Sequence, residues 1–384
     1  MRGAFRVFTL WGFPIRVHFS FLLVLPVLAW MFGQVFASRA AARMADVPQE
    51  QLVRMPYLWG LGMAVALFLS VLVHELAHSF YARRKGGEVS DITLMMMGGV
   101  SRVTRMPEGH RHEALMALAG PVTSLGLGVL FLGLYVALAG VAYPNLRFGF
   151  FYLGQLNIIL GFFNLLPAFP MDGGRILRAG LTGRLGRPKA TRVAGAVGKV
   201  FAVLFGLLGL LGANLLLIAI AFFVYMGAEA ETREVATQAR LERLRVKDVM
   251  VARTASVEAW QPLSQVAALL RLERRRAMPV VEAGRVVGVV TVGMVRQIPE
   301  ERRPEVRVRE VAQPVPGVTP ESSAWEALRE LGKNRLPQLP VVGPEGELLG
   351  TLTQDDLLRA LELRELEDTK SSGPWGLRPR EPSV

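Results

Sequence analysis

Residues 57–82 read YLWGLGMAVALFLSVLVHELAHSFYA, a run long and apolar enough to cross a bilayer as a helix, yet it contains His74, Glu75 and His78. Ionisable side chains at bilayer depth are costly and seldom incidental. His74-Glu75-Leu76-Ala77-His78 is an HExxH pattern. On a helix, positions i and i+4 share a face, so both imidazoles can hold one Zn2+ while the adjacent carboxylate reaches a water on that ion. If Arg83 marks the boundary, at 1.5 Å per residue the pattern lies on the order of 10 Å inside the membrane.

Outward from this run, further apolar stretches of spanning length occur at residues 17–36, 114–142 and 148–168. Residues 190–230 are too long for one crossing, and Gly212-Ala213-Asn214 supplies a turn, so two helices are expected there, the second of them short. The fold class expected is an α-helical polytopic membrane domain of about six spans with a short β-hairpin, followed by a soluble α/β module. Hydrophobic residues make up 51% of the 384 and charged ones 20%, a balance that excludes a wholly soluble protein.

The net charge of +12 would ordinarily point to nucleic acid, but its placement does not. Residues 1–227 hold 20 Lys+Arg against 8 Asp+Glu, and residues 228–384 hold 24 of each. The excess follows the spans: Arg2, Arg6 and Arg16 before the first, Arg83 to Arg111 after the second, Arg175 to Arg192 after the fourth. The loop between spans one and two has Arg39, Arg43 and Arg54 offset by Asp46 and Glu50. The positive-inside rule then puts both termini in the cytoplasm of a multi-pass cell (inner or plasma) membrane protein, with the lipid bilayer and no nucleic acid as partner. The absence of cysteine excludes disulfides, a thiolate metal site and a Cys nucleophile.

A catalytic zinc takes three protein ligands and keeps one position open. Of the remaining histidines, His18 opens the first span, and His110 and His112 lie in a loop. Asp172 is the stronger third candidate. It ends the segment Asn164-Leu-Leu-Pro167-Ala-Phe-Pro170-Met-Asp172-Gly173-Gly174-Arg175, where prolines break the helix and glycines permit a turn. Broken backbone at that depth is tolerated where it lines a polar cavity.

HELAH in one span followed by NLLPAFPMDGGR at the end of a later one closely resembles the site-2 protease family of intramembrane zinc metalloproteases. The resemblance covers about residues 1–230, Ala119-Gly120-Pro121 included. It implies His74, His78 and Asp172 as ligands of one Zn2+, Glu75 as general base, and Asn164 as a polar residue beside the scissile carbonyl. It also implies a membrane-anchored protein substrate of the anti-sigma or pro-sigma type.

Residues 91–103 read as two short strands around a Gly-Gly turn. A free edge along residues 91–97 would accept an extended substrate strand, with Met95, Met96, Met97, Gly98 and Gly99 as substrate-binding candidates. The alternative is a hairpin that dips into the membrane and only packs on the helices.

From residue 245 a period of 61 to 62 residues appears: Arg245-Val-Lys-Asp-Val-Met250 matches Arg307-Val-Arg-Glu-Val-Ala312, and Met278-Pro-Val-Val281 matches Leu339-Pro-Val-Val342. The layout resembles a tandem pair of CBS domains, a family that commonly binds adenine nucleotides. Its G-x-x-T-x-x-D pattern stands as Gly350, Thr353 and Asp356. The first copy keeps Gly288 and Thr291 but has Met294 at the aspartate position, so at most one well-formed site for ATP, ADP or AMP is implied, with Gly350, Thr353, Asp356 and Thr291 as the candidate residues. A module that binds nothing and serves homodimerisation is the alternative.

The domains expected are therefore 1–230 (membrane metalloprotease), 231–244 (helical linker), 245–305 and 306–363 (the CBS pair) and 364–384 (a disordered tail). The reading is an intramembrane zinc metalloendopeptidase. A CBS-regulated ion transporter or channel would also explain intramembrane acids, and an inactive zinc-binding scaffold would explain the ligands. Neither accounts for an intact glutamate between two histidines at ligand spacing.

Overall fold

The computed structural model describes residues 3–38, 55–96, 98–107, 109–139, 144–252, 254–315 and 317–371, and all their side chains except those of 365–371. Met97 and the charged residues between the first two spans, Arg39, Arg43, Asp46, Glu50 and Arg54, lie outside them. The chain forms two compact units that divide between Val235 and Ala236.

Among the described residues of the first unit, apolar sequence of spanning length becomes helix: α1 (Phe19–Phe36), α2 (Pro56–Arg84), α3 (His110–Ala137) and α4 (Pro144–Asn164). After them come the shorter α5 (Asp172–Leu185), then α6 (Arg187–Leu211) and α7 (Leu215–Glu242). Six of these seven are long and apolar enough to cross a bilayer. Their outer faces carry large exposed apolar side chains, among them Leu23, Trp30, Leu207 and Phe222. Patches of that extent suit acyl chains rather than water. The expected turn falls at Gly212-Ala213-Asn214, where Asn214 Oδ1 accepts the Leu217 N–H at 3.1 Å and caps α7. The second helix of the hairpin is not short. It runs for 28 residues and absorbs most of the expected linker, because the sequence from Ala228 onward exchanges apolar for charged helix formers without a breaker.

The β-structure is larger than a hairpin. Strands β1 (Ala4–Leu10), β2 (Phe13–His18), β3 (Glu88–Met95) and β4 (Gly98–Arg105) form one sheet in the order β1-β2-β3-β4. Residues Trp11 and Gly12 both have positive φ, 48° and 85°, which is the geometry of a two-residue hairpin turn. The first span therefore begins at Phe19, two residues later than expected. Strand β2 pairs in parallel with β3, Ile15 opposite Ile92, and β3 pairs antiparallel with β4, Ile92 opposite Ser101. Residues 92–94 of the expected edge, 91–97, are not free, because β3 is paired there on both sides. The edge strand next to them is β4, which pairs on one side only. Phe13, Ile15, Ile92 and Leu94 bury one face of the sheet against Leu72 and Leu76 of α2, so the HExxH helix and the sheet share a core.

The second unit repeats. After α8 (Val246–Val249) and β5 (Val251–Ala252), the first copy continues with β6 (Val257–Glu258), α9 (Leu263–Leu272), β7 (Ala277–Glu282), β8 (Arg285–Thr291) and α10 (Val292–Arg296). The second has α11 (Val308–Val311), α12 (Ala324–Asn334), β9 (Gln338–Val342), β10 (Leu348–Thr353) and α13 (Gln354–Ser371). The sheets are β6-β7-β8 and β5-β10-β9. Each copy's leading helix is buried in the other copy's core: Val246 with Leu339, Val341 and Leu352, and Val308 with Val257, Leu263 and Val280. Helix α13 reaches Ser371, beyond residue 364 where the tail was expected to begin.

Candidate functional site

Helix α2 carries His74 and His78 one turn apart, both buried, on the face that meets α3 and the start of α5. Asp172 opens α5, in the first turn of a helix whose N-terminal dipole suits a carboxylate. Three ligand atoms converge: His74 Nε2 and His78 Nε2 lie 3.1 Å apart, and each is 3.2 Å from Asp172 Oδ2. A tetrahedral zinc with ligands at 2.0–2.1 Å has ligand-to-ligand edges of about 3.3 Å, so this triangle has the right size for one.

The far sides of the rings are also held. His78 Nδ1 is 2.6 Å from the Met116 carbonyl, which only accepts, so that nitrogen carries the hydrogen and Nε2 of the neutral ring keeps its lone pair. His74 Nδ1 is 2.8 Å from Ser124 Oγ. Both partners sit on α3, and between them stands Gly120. A Cβ there would lie 2.5 Å from His74 Nε2 and 2.6 Å from His78 Cε1. Glycine is what leaves the space in front of the ligand atoms open, and the three donors and that opening together fit a metal ion.

Glu75 faces the sheet. Its Oε2 accepts the Ser101 N–H at 3.0 Å and the Ser101 hydroxyl at 2.7 Å. Gly99 lets its stem approach, since a Cβ at that position would be 2.5 Å from Glu75 Cγ. Met95 and Met96 lie at the turn end of the hairpin, Gly98 and Gly99 begin β4, and Met97 is outside the described residues. Asn164 is not joined to the ligand cluster: its Nδ2 donates to Leu160 O at 2.9 Å within its own helix. His18 caps α1 through Ser20, and His112 lies 3.1 Å from the Tyr81 hydroxyl.

Within the hairpin, Asp91 is buried on β3. Burial favours its neutral form, but hydrogen bonds from Thr93 and Ser90, together with the charges of Arg102 and Arg16, outweigh this and hold the carboxyl below its ordinary value. Beyond the cluster, Arg178 of α5 is buried between Glu113 of α3 and Glu231 of α7, with Nη1 2.7 Å from Glu231 Oε1.

In the second unit the four nucleotide-site candidates have local roles. Thr353 donates its N–H and hydroxyl to Asp356 Oδ2 at 2.9 and 2.7 Å, a cap at the start of α13. Thr291 Oγ1 accepts the Met294 N–H at 3.2 Å in the first copy. A Cβ on Gly350 would be 2.6 Å from Val251 O, so this glycine admits the crossing strand β5.

The apolar helices, the enclosed His-His-Asp convergence and the duplicated module define a multi-pass membrane protein with a metal-competent centre and a soluble appendage. Residues 62–149 and 141–208 match peptidase family M50, and residues 246–299 and 308–363 each match the CBS domain. A zinc metalloprotease of Methanocaldococcus jannaschii is 30% identical over 370 residues, covering 96% of this chain and 99% of the relative. Rip3 of Mycobacterium tuberculosis is 31% identical over 392 residues, covering 97% and 98%. The solved site-2 protease from Methanocaldococcus jannaschii is 35% identical, covers 60% of this chain and 95% of that one, and superposes with a TM-score of 0.44. The chain belongs to peptidase family M50, of the site-2 protease type, and carries a C-terminal pair of CBS domains.

Three contributors to the site escaped the sequence reading, Ser101, the Met116 carbonyl and Ser124, while Gly120 was read within Ala119-Gly120-Pro121 without a role at the ligands. Gly120 and Ser124 are one helical turn apart, and that spacing, aligned with the HExxH face, was the available signal.

Proposed function

We propose that this protein hydrolyses peptide bonds in or near the transmembrane segments of membrane-anchored regulatory proteins, with His74, His78 and Asp172 holding one zinc ion. The observation that carries the reading is the 3.1–3.2 Å triangle of ligand atoms with Gly120 leaving its open side clear. When bound, the ion supplies a Lewis acid that polarises the scissile carbonyl and makes an attacking water more acidic.

The chain's own residues do the rest. Glu75 accepts a proton from that water as it attacks and returns it to the amine as the C–N bond breaks, so water and peptide become an acid and an amine. Asn164 has a second amide hydrogen beyond the one given to Leu160, and we assign it to the developing oxyanion. The outer edge of β4 takes an extended substrate segment as an added strand and keeps it unwound beside Glu75. Zn2+ at a site inside the bilayer, with both termini cytoplasmic by the distribution of basic residues, fits cleavage near the cytoplasmic face. ATP, ADP or AMP bound near Thr353 and Asp356 would regulate it, and the CBS pair would also serve as a dimer contact.

The test is cleavage of a fluorogenic reporter, a single apolar span with donor and quencher at its ends, by the full chain in detergent micelles. Glu75→Gln should retain zinc and lose cleavage by about a hundredfold or more, the range attributed to a general base. Wild-type cleavage by this variant would sink the reading.

A further inference from the structure

In an edge strand, successive N–H groups point alternately to the paired neighbour and away from it. On β4 the Ser101 N–H does not complete a ladder of this chain but reaches Glu75 Oε2, at 3.0 Å. The Ser101 hydroxyl bonds the same oxygen at 2.7 Å. That hydroxyl is itself located, 3.2 Å from the Glu75 carbonyl and 3.1 Å from Ser79 Oγ, which in turn donates to the Glu75 carbonyl at 2.9 Å. Two residues earlier, Gly99 lies so close to the glutamate stem and Val71 that a Cβ would stand 2.5 Å from Glu75 Cγ and 3.2 Å from Val71 Cγ1. Both charge-assisted bonds fall on Oε2, and among the described residues no hydrogen bond reaches Oε1. A carboxylate gripped by one oxygen has a fixed plane, and its other oxygen is free to take a proton.

We propose that Ser101 is the positioning residue for Glu75: its amide and hydroxyl hold Oε2 so that Oε1 is presented to the attacking water. The strand that takes the substrate is then also the strand that aims the base. This inference rests on the reading of Glu75 as the base.

The experiment uses the full chain in micelles, a fluorogenic single-span reporter that the wild type cleaves, and the variants Ser101→Ala, Ser101→Thr and Glu75→Gln, with zinc content measured on each. Ser101→Ala should lower kcat by about tenfold or more, the scale of one hydrogen bond to a charged group. Its KM should stay within about twofold of the wild type, since the lost bond orients the base and does not touch the substrate. Zinc content should be unchanged, and Ser101→Thr, which keeps the hydroxyl, should recover most of the rate. Wild-type kcat in Ser101→Ala, a raised KM at constant kcat, loss of zinc, or no recovery in Ser101→Thr would each overturn the proposal while leaving Glu75 in place. Full cleavage by Glu75→Gln would instead remove the base reading and this inference with it.

Discussion

At Gly120 a single hydrogen in place of a methyl group keeps the space in front of two histidine nitrogens clear. Gly120→Ala is therefore expected to lower zinc affinity by about tenfold or more, an effect on the scale of losing an outer partner of a ligand. Gly180→Ala, on α5 where nothing stands within 4 Å of a new Cβ, should keep its zinc and serves as the control. Metal analysis of the two purified variants checks this, and equal zinc in both would refute it. The ligands themselves were legible because their chemistry is local: His74 and His78 share one turn, and Asp172 follows a proline break and precedes two glycines. Their orientation was not. Ser124 and Met116 lie 50 and 38 residues from the histidines they hold, and a lone serine or backbone carbonyl leaves no periodic trace.

At the scale of elements, apolar length made the helices readable and left the sheet half hidden. The run Phe13-Pro-Ile-Arg-Val-His18 alternates, with buried Phe13 and Ile15 facing α2. Its neighbour in the sheet is 70 or more residues away, and a parallel pairing of that kind has no turn to announce it. The consequence was an edge assigned to β3 that belongs to β4. The sheet also contains a pH-sensitive contact. The Asp91 carboxyl is depressed in the folded chain, so the stability it contributes is complete above its unfolded pKa of about 3.9 and fades as pH falls through the lower folded value. Asp91→Asn should lower Tm at pH 7, and its deficit against the wild type should shrink below about pH 4. Parallel melts in detergent from pH 7 to 3 would show this, and a deficit independent of pH would contradict it.

For the whole molecule, α7 has a double character. Its middle packs on the loop and helix that carry Asp172: a Cβ on Gly227 would be 2.6 Å from Pro170 Cγ, Ala228 is buried with Phe169, and Glu231 pairs with Arg178 of α5. The same uninterrupted helix continues to Glu242, and Leu241 belongs to the core of the second unit. If a nucleotide in the CBS pair changes proteolysis, this helix is the covalent route. Adding ATP, ADP or AMP should then change the rate of reporter cleavage, and Thr237→Gly with Gln238→Gly, which weakens the helix by roughly 1 kcal/mol per glycine, should blunt the response while leaving cleavage itself. A response undiminished in the double variant would rule out transmission through α7. The repeat was visible in the sequence through its markers, but the exchange between its copies was not, because hydrophobic pattern says which residues are buried and not against whom.

That exchange makes the duplicated module indivisible. Val246 fills the interior of the copy that follows and Val308 that of the copy that precedes, while Gly350 admits a strand from the other half. Severing the chain between the copies would leave two fragments, each with a hole in its centre and a stray apolar segment outside it. Neither half keeps its core filled without its twin. The pair is therefore expected to unfold as one cooperative body.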